Sequence, residues 1–213
     1  MRFFKDNGNR INLAVVTSGA SGVEDGFGGA ITRRAKATLR EIEQQTSCRL
    51  FGLADSQLTF LRLVEDESGH PVVNHGNLQC VRSYLAAQKP DLVFLPHWHD
   101  PNEGHRRTYA LFRQSMQEEK LSLVACLNQD PKTVEMRHDL YCAFGLEIAA
   151  LKKELLCTHQ SQHQRNLHQR GYGFDERVLG VNRRIAEALG VDEPYAEAFE
   201  LEKYVEGNPA SPD

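Results

Sequence analysis

The sequence predicts an α/β fold with a Rossmann-like, mostly parallel sheet and helices on both faces. Three observations predict it. At 213 residues the chain suits one substantial core and is short for two. Apolar, β-branched runs at Ile11 to Thr17, Asp91 to Leu95 and Leu121 to Leu127 read as buried strands. Amphipathic segments of helical length alternate with these runs, as in βαβ units.

Taken in order, Ile11 to Thr17 is a strand entering the loop Ser18-Gly19-Ala20-Ser21-Gly22. Gly26 to Gly29 lacks both the G-x-G-x-x-G spacing and a Lys-Ser or Lys-Thr finish, which argues against a bound nucleotide. Ile31 to Gln45 is charged and amphipathic, hence a surface helix, and Arg49 to Leu53 reads as a short strand. Asn77 to Gln88 forms a helix stopped by Pro90. The strand Asp91 to Leu95 follows, then a helix from Glu103 to about Gln117 with Asn102 as its N-cap, then the strand Leu121 to Leu127. Leu146 to Leu156 has helical spacing and ends near a polar cluster, His159 to His163. Phe174 to Leu189 is a helix capped by Gly190, and Tyr195 to Tyr204 a late extended segment. Residues 1–206 are expected to form one domain, and 207–213 a disordered tail.

Composition narrows the function. A net charge of −4 argues against a nucleic-acid or membrane surface as the main partner and favours a small molecule. No run approaches the roughly 18 apolar residues of a membrane span, and Met1 to Arg10 lacks the core of a signal peptide, so a cytoplasmic location is expected. A homo-oligomer is compatible with all of this. Five cysteines, Cys48, Cys80, Cys126, Cys142 and Cys157, are scattered without a Cys-x-x-Cys pair and read as reduced core residues without a metal role.

The densest chemistry lies in Pro96-His97-Trp98-His99-Asp100-Pro101-Asn102-Glu103-Gly104-His105-Arg106-Arg107, directly after a strand. In an open α/β sheet, ligands bind beyond the carboxyl ends of the strands. Helix capping accounts for Asn102 and Glu103 without any function. It leaves His97, His99, Asp100 and His105 unexplained, and these residue types are metal ligands and proton carriers. Trp98 between two histidines is costly in a loop unless it packs or lines a pocket.

Together these segments resemble the PIG-L/LmbE-like family of zinc-dependent N-deacetylases. The match rests on Val15-Val16-Thr17-Ser18-Gly19 with its Gly-rich loop and on Pro90 to Pro96 with Asp100 to Arg106. It also rests on Lys152 through Ser161-Gln162, followed by Tyr195-Ala196-Glu197-Ala198-Phe199. The resemblance implies an LmbE-like fold and zinc-assisted removal of acetyl from an N-acetylated sugar or related small amide. It makes His105 the zinc ligand and assigns Asn102, Arg106, Tyr195 and Glu197 to substrate contacts. Asn102 stands where the family motif has a histidine, and Gly104 where it has an aspartate. His97, His99 and Asp100 are therefore the catalytic candidates, with His97 or His99 supplying the lost imidazole from the other side of the loop.

Family members also begin with a strand ending in His-Pro-Asp-Asp-Glu, which supplies two zinc ligands and the general base. No such string occurs in these 213 residues. The chain is expected to start one strand and most of a helix late, with Met1 to Ile11 as the end of the joining helix. Two further readings stay open: a non-catalytic member that binds a small molecule or a partner, and a metal site built from His97, His99, Asp100 and His105 alone.

Overall fold

The computed structural model describes residues 1–130, 132–133 and 135–210. Its elements run α1 (Arg2–Asp6), β1 (Leu13–Val15), α2 (Arg33–Phe51), β2 (Leu58–Phe60), α3 (His75–Gln88), β3 (Leu92–Pro96) and α4 (Glu103–Glu119). They continue with β4 (Leu123–Asn128), β5 (Leu140–Phe144), α5 (Leu146–Cys157), α6 (Gln160–Arg170), α7 (Phe174–Leu189), β6 (Tyr195–Val205) and β7 (Asn208–Pro209). The α/β class is as the sequence predicts. Residues 211–213 of the expected tail lie outside the described residues, while Asn208 and Pro209 pair with β6. Among the described residues no helix is long and apolar enough to cross a membrane. The chain forms two compact units, 1–63 with 151–175 and 64–150 with 176–213.

In the first unit β1 and β2 pair in parallel, Leu13 opposite Leu58. The Gln57 side chain donates to the Ile11 carbonyl at 2.7 Å and holds the entry to this pair. The strand expected at Arg49 to Leu53 is instead the last turn of α2. Gly52, at φ 80°, turns the chain out of the helix, its N–H reaching the Arg49 and Cys48 carbonyls. A short apolar run cannot by itself separate a buried helix end from a strand, and here the helix continues. The polar stretch after His159 is itself the helix α6. The Ser161 backbone N–H and hydroxyl both donate to the Glu43 carboxylate, at 2.7 and 2.9 Å. That carboxylate, buried on α2, thus takes the place of a cap at the positive end of α6.

In the second unit the strand order is β3-β4-β6-β5, with β7 on β6. β3 and β4 are parallel, and β6 runs antiparallel to both β4 and β5. β4 is the central apolar strand, with Ala125, Cys126 and Leu127 fully buried. Val181, Ile185 and Ala186 of α7 pack on Ala196 and Ala198 of β6. Apolar surface removed from water in this layer stabilises the unit at about 25 cal/mol for each Å². The buried side chains Tyr109 and Tyr204 both donate their hydroxyls to the Glu202 carboxylate, at 2.7–2.8 Å. Burial and Glu202 push the Tyr109 phenol up to about 12 and raise that of Tyr204 as well. Cys142 on β5 is exposed rather than a core residue.

The register positions the chemistry. Leu92 pairs with Val124 and Pro96 with Asn128, so β3 and β4 end level with each other. The loops that follow, 97–102 and 129–130, leave the sheet side by side.

Candidate active site

Asp100 is the hub of the first of these loops. It is 1% exposed, and both carboxylate oxygens are occupied. Oδ1 accepts the Asn102 N–H at 2.7 Å, and Oδ2 lies 2.7 Å from His105 Nδ1. An ionised carboxylate only accepts, so His105 Nδ1 carries the proton and Nε2 keeps its lone pair. His105 sits in the first turn of α4 and remains partly exposed. Asp130, just beyond β4, completes the group: ligand atoms of Asp100, His105 and Asp130 all lie within 4.8 Å of one another. Burial, followed by the Asp100 carboxylate, pushes the Asp130 carboxyl above its ordinary value, against the pull of His105 and Arg177.

The other sequence candidates fall into different places. His97 is buried, and both ring nitrogens are in use. Its Nδ1 accepts the His99 N–H at 3.0 Å, which leaves the proton on Nε2, 3.3 Å from Glu200 Oε2. Glu200 also accepts from the Arg137 backbone N–H at 2.9 Å and pairs with its guanidinium at 3.0 Å. His97 is thus a fixed post beneath the loop rather than a free imidazole. His99 is exposed against the Trp98 ring, so Trp98 packs between its two neighbours.

Asn102 caps α4 by accepting the Gly104 N–H at 2.9 Å, and Arg106 donates to the Asp100 carbonyl at 2.9 Å. Both hold the loop's shape. Tyr195 packs on Phe144 with ring centroids 5.6 Å apart, and Glu197 lies opposite Cys142 on β5. The structure therefore gathers Asp100, Asn102, His105 and Arg106, and gives Tyr195 and Glu197 positions on the β5–β6 pair.

Three residues were not singled out in the sequence. Asp130 had a usable signal, since it follows the strand that neighbours β3 and the strand-end rule applies to it equally. Glu200 and His70 had none. The His70 ring stands over Gly104, where an added Cβ would lie 3.1 Å from its Cδ2. It fills the space that a side chain at that position would need. Asp130 also lines a pocket of about 240 Å³ with Gln129, Thr133, His138 and Arg184. Drug-sized pockets run to roughly 300–1,000 Å³, so this one suits a small group.

The fold and these residues are those of an α/β chain whose class is given by its family. A profile described as "PIG-L: GlcNAc-PI de-N-acetylase" matches residues 1–116, more than half of the chain, and the chain belongs to that family. No curated protein sequence matches it. Among solved structures it is similar to N,N'-diacetylchitobiose deacetylase from Pyrococcus horikoshii, with TM-score 0.75 and 19% identity over 97% of this chain and 76% of that one. It is also similar to the 4-carboxy-2-hydroxymuconate hydratase GalB from Pseudomonas putida, with TM-score 0.69 and 14% identity over 94% and 87%. A deacetylase from teicoplanin biosynthesis gives TM-score 0.68 and 14% identity over 95% and 90%. At such identities these likenesses establish the fold.

Proposed function

We propose that the protein is a metal-dependent hydrolase that removes acetyl from an N-acetylated sugar or a related small amide, with zinc as its ion. The observation that carries the proposal is the convergence of Asp100, His105 and Asp130 beyond the level ends of two parallel strands. One imidazole and one carboxylate, with a second carboxylate behind the ring, are of the types that zinc sites use. Bringing the half-buried Asp130 carboxylate close to the buried Asp100 carboxylate is costly unless a cation joins them. His105 would hold the ion through Nε2 and Asp130 through its carboxylate, while Asp100 fixes the ring from behind, the common carboxylate–imidazole arrangement of metal sites.

A divalent ion held there supplies Lewis acidity and a water acidic enough to attack an amide near neutral pH. The remaining work falls to the chain. The pocket beside Asp130 offers Gln129, His138 and Arg184 as polar contacts for a small hydroxylated substrate. His99 is the exposed imidazole of the loop and can pass a proton to the departing amine. Water is consumed, the C–N bond breaks, and acetate and a free amine leave. The net charge of −4 supports a small-molecule substrate over a nucleic acid.

The test is zinc affinity of the protein and of His105→Ala, measured by competition with a chromophoric chelator, alongside acetate release from N-acetylglucosamine derivatives. Loss of tight zinc binding at this site and of acetate release in His105→Ala is expected. Equal zinc affinity in the two proteins, or no acetate from the zinc-loaded protein, overturns the reading.

A further inference from the structure

A second cluster of ligand-type side chains lies in the first unit, apart from any residue used above. Cys157 ends α5, His163 lies on α6 and Asp175 is the second residue of α7. One ligand atom from each falls within 4.8 Å of the others. The Asp175 side chain is only 4% exposed. Its Oδ1 is buried without a hydrogen-bond partner, and so is His163 Nδ1. These two atoms are 3.2 Å apart, yet they make no aligned hydrogen bond. Lys153 approaches the other oxygen, Oδ2, at 3.6 Å from a largely exposed position. Buried polar atoms in native proteins are nearly always satisfied, so two facing orphans call for a shared partner.

We infer that Cys157, His163 and Asp175 form a zinc site. A thiolate, an imidazole and a carboxylate are the ligand types zinc takes, and three of them leave a fourth position for water or another ligand. The spacing agrees: ligand bonds of about 2.0–2.2 Å set a nitrogen–oxygen edge of about 3.4 Å in a tetrahedral site. Gly173 leaves the approach open. A Cβ there would lie 2.4 Å from both Asp175 Oδ1 and His163 Cε1. The ion ties the end of α5 to α6 and to the segment entering α7, so it acts as a clip within this unit. Cys157 thereby has a role that its scattered place among the cysteines did not suggest. The site does not depend on the proposed catalytic reading, since the two donor sets share no residue.

Cobalt(II) substitution tests it, because a thiolate ligand gives a sulfur-to-cobalt charge-transfer band that Asp100, His105 and Asp130 cannot produce. The full chain is titrated with cobalt and then displaced with zinc. The band is expected in the parent protein, in His105→Ala and in Cys142→Ser, and is expected to vanish in Cys157→Ser. Asp175→Asn should weaken zinc binding by roughly 10–100-fold or more, since even outer partners of metal sites are worth that much. Thermal unfolding of the metal-free proteins checks that the variants fold, and in a His105→Ala background zinc should raise the midpoint but no longer do so once Cys157→Ser is added. If Cys157→Ser does not fold, His163→Gln carries the same test through zinc affinity. Absence of the band in the parent protein overturns the site, and so does a band that survives Cys157→Ser.

Discussion

Replacing Asp100 by Asn changes one atom of a buried side chain and should reverse the tautomer of His105. The Asn102 N–H, 2.7 Å from Asp100 Oδ1, needs an oxygen acceptor and will keep the amide oxygen. The amide NH₂ then faces His105 Nδ1, where a carboxylate oxygen stood at 2.7 Å. Nδ1 must now accept, so the ring proton moves to Nε2 and removes the lone pair proposed for the metal. A hydrogen bond to a charged group is worth about 1.5–3 kcal/mol. At 1.4 kcal/mol for each tenfold, that predicts a loss of about 10–150-fold in zinc affinity. Stability should change less, because the amide is the same size and still bonds both neighbours. Competition with a chelator measures the affinity, and nitrogen NMR of the histidine ring reads the tautomer directly. Zinc affinity within about twofold of the parent, with the proton still on Nδ1, would refute the orienting role of Asp100.

Further outcomes follow from packing and charge. Gly207 sits at φ 80°, and a Cβ there would lie 2.6 Å from the Met116 carbonyl oxygen, so Gly207→Ala should cost about 1–3 kcal/mol of stability, read as a lower urea midpoint. Glu202→Leu leaves the Tyr109 and Tyr204 hydroxyls without their acceptor, at a cost of about 1–3 kcal/mol each, and unchanged urea unfolding would count against that network. The His159 imidazole is pushed down to about 4 by burial and then by Arg40, whose Nη1 lies 3.4 Å from its Nδ1. The unfolded chain therefore binds a proton near pH 6.5 that the folded chain refuses, so stability should fall as pH drops from about 6.5 to 4, by roughly 3 kcal/mol at most. His159→Gln should flatten that part of the stability–pH curve, and an unaltered slope would exclude His159 as its source.

The strands β3 and β4 and the helices α3, α4 and α7 could be read from the chain because apolar periodicity, Asn102 and the stop at Pro90 all agree on them. Elsewhere local signals conflict with distant partners, and the partners decide the conformation. Arg49 to Leu53 has the composition of a short strand, but α2 continues through Phe51 and ends in the left-handed turn at Gly52. The segment from Gln160 is too polar to announce a helix, and its N-terminus depends on Glu43, far away in the chain. β5 is a short edge strand whose exposed residues blur the alternation.

At the site, His105 and Asp100 were visible in the sequence, but their division of labour was not. It depends on which oxygen and which ring nitrogen face each other. His97 looked like a free imidazole because nothing in the sequence brings Glu200 beneath it. Asp130 carries the strand-end signal in the sequence, and the parallel register of β3 and β4 is what brings it level with the loop of Asp100.

The most direct test of the central claim is acetate release from an N-acetylated sugar by the zinc-loaded protein, measured with and without a chelator and repeated for His105→Ala. The account predicts acetate release that chelation abolishes and that falls by about 10²-fold or more in the variant. Release that survives both chelation and the loss of His105, or no release at all from the zinc-loaded protein, would contradict it.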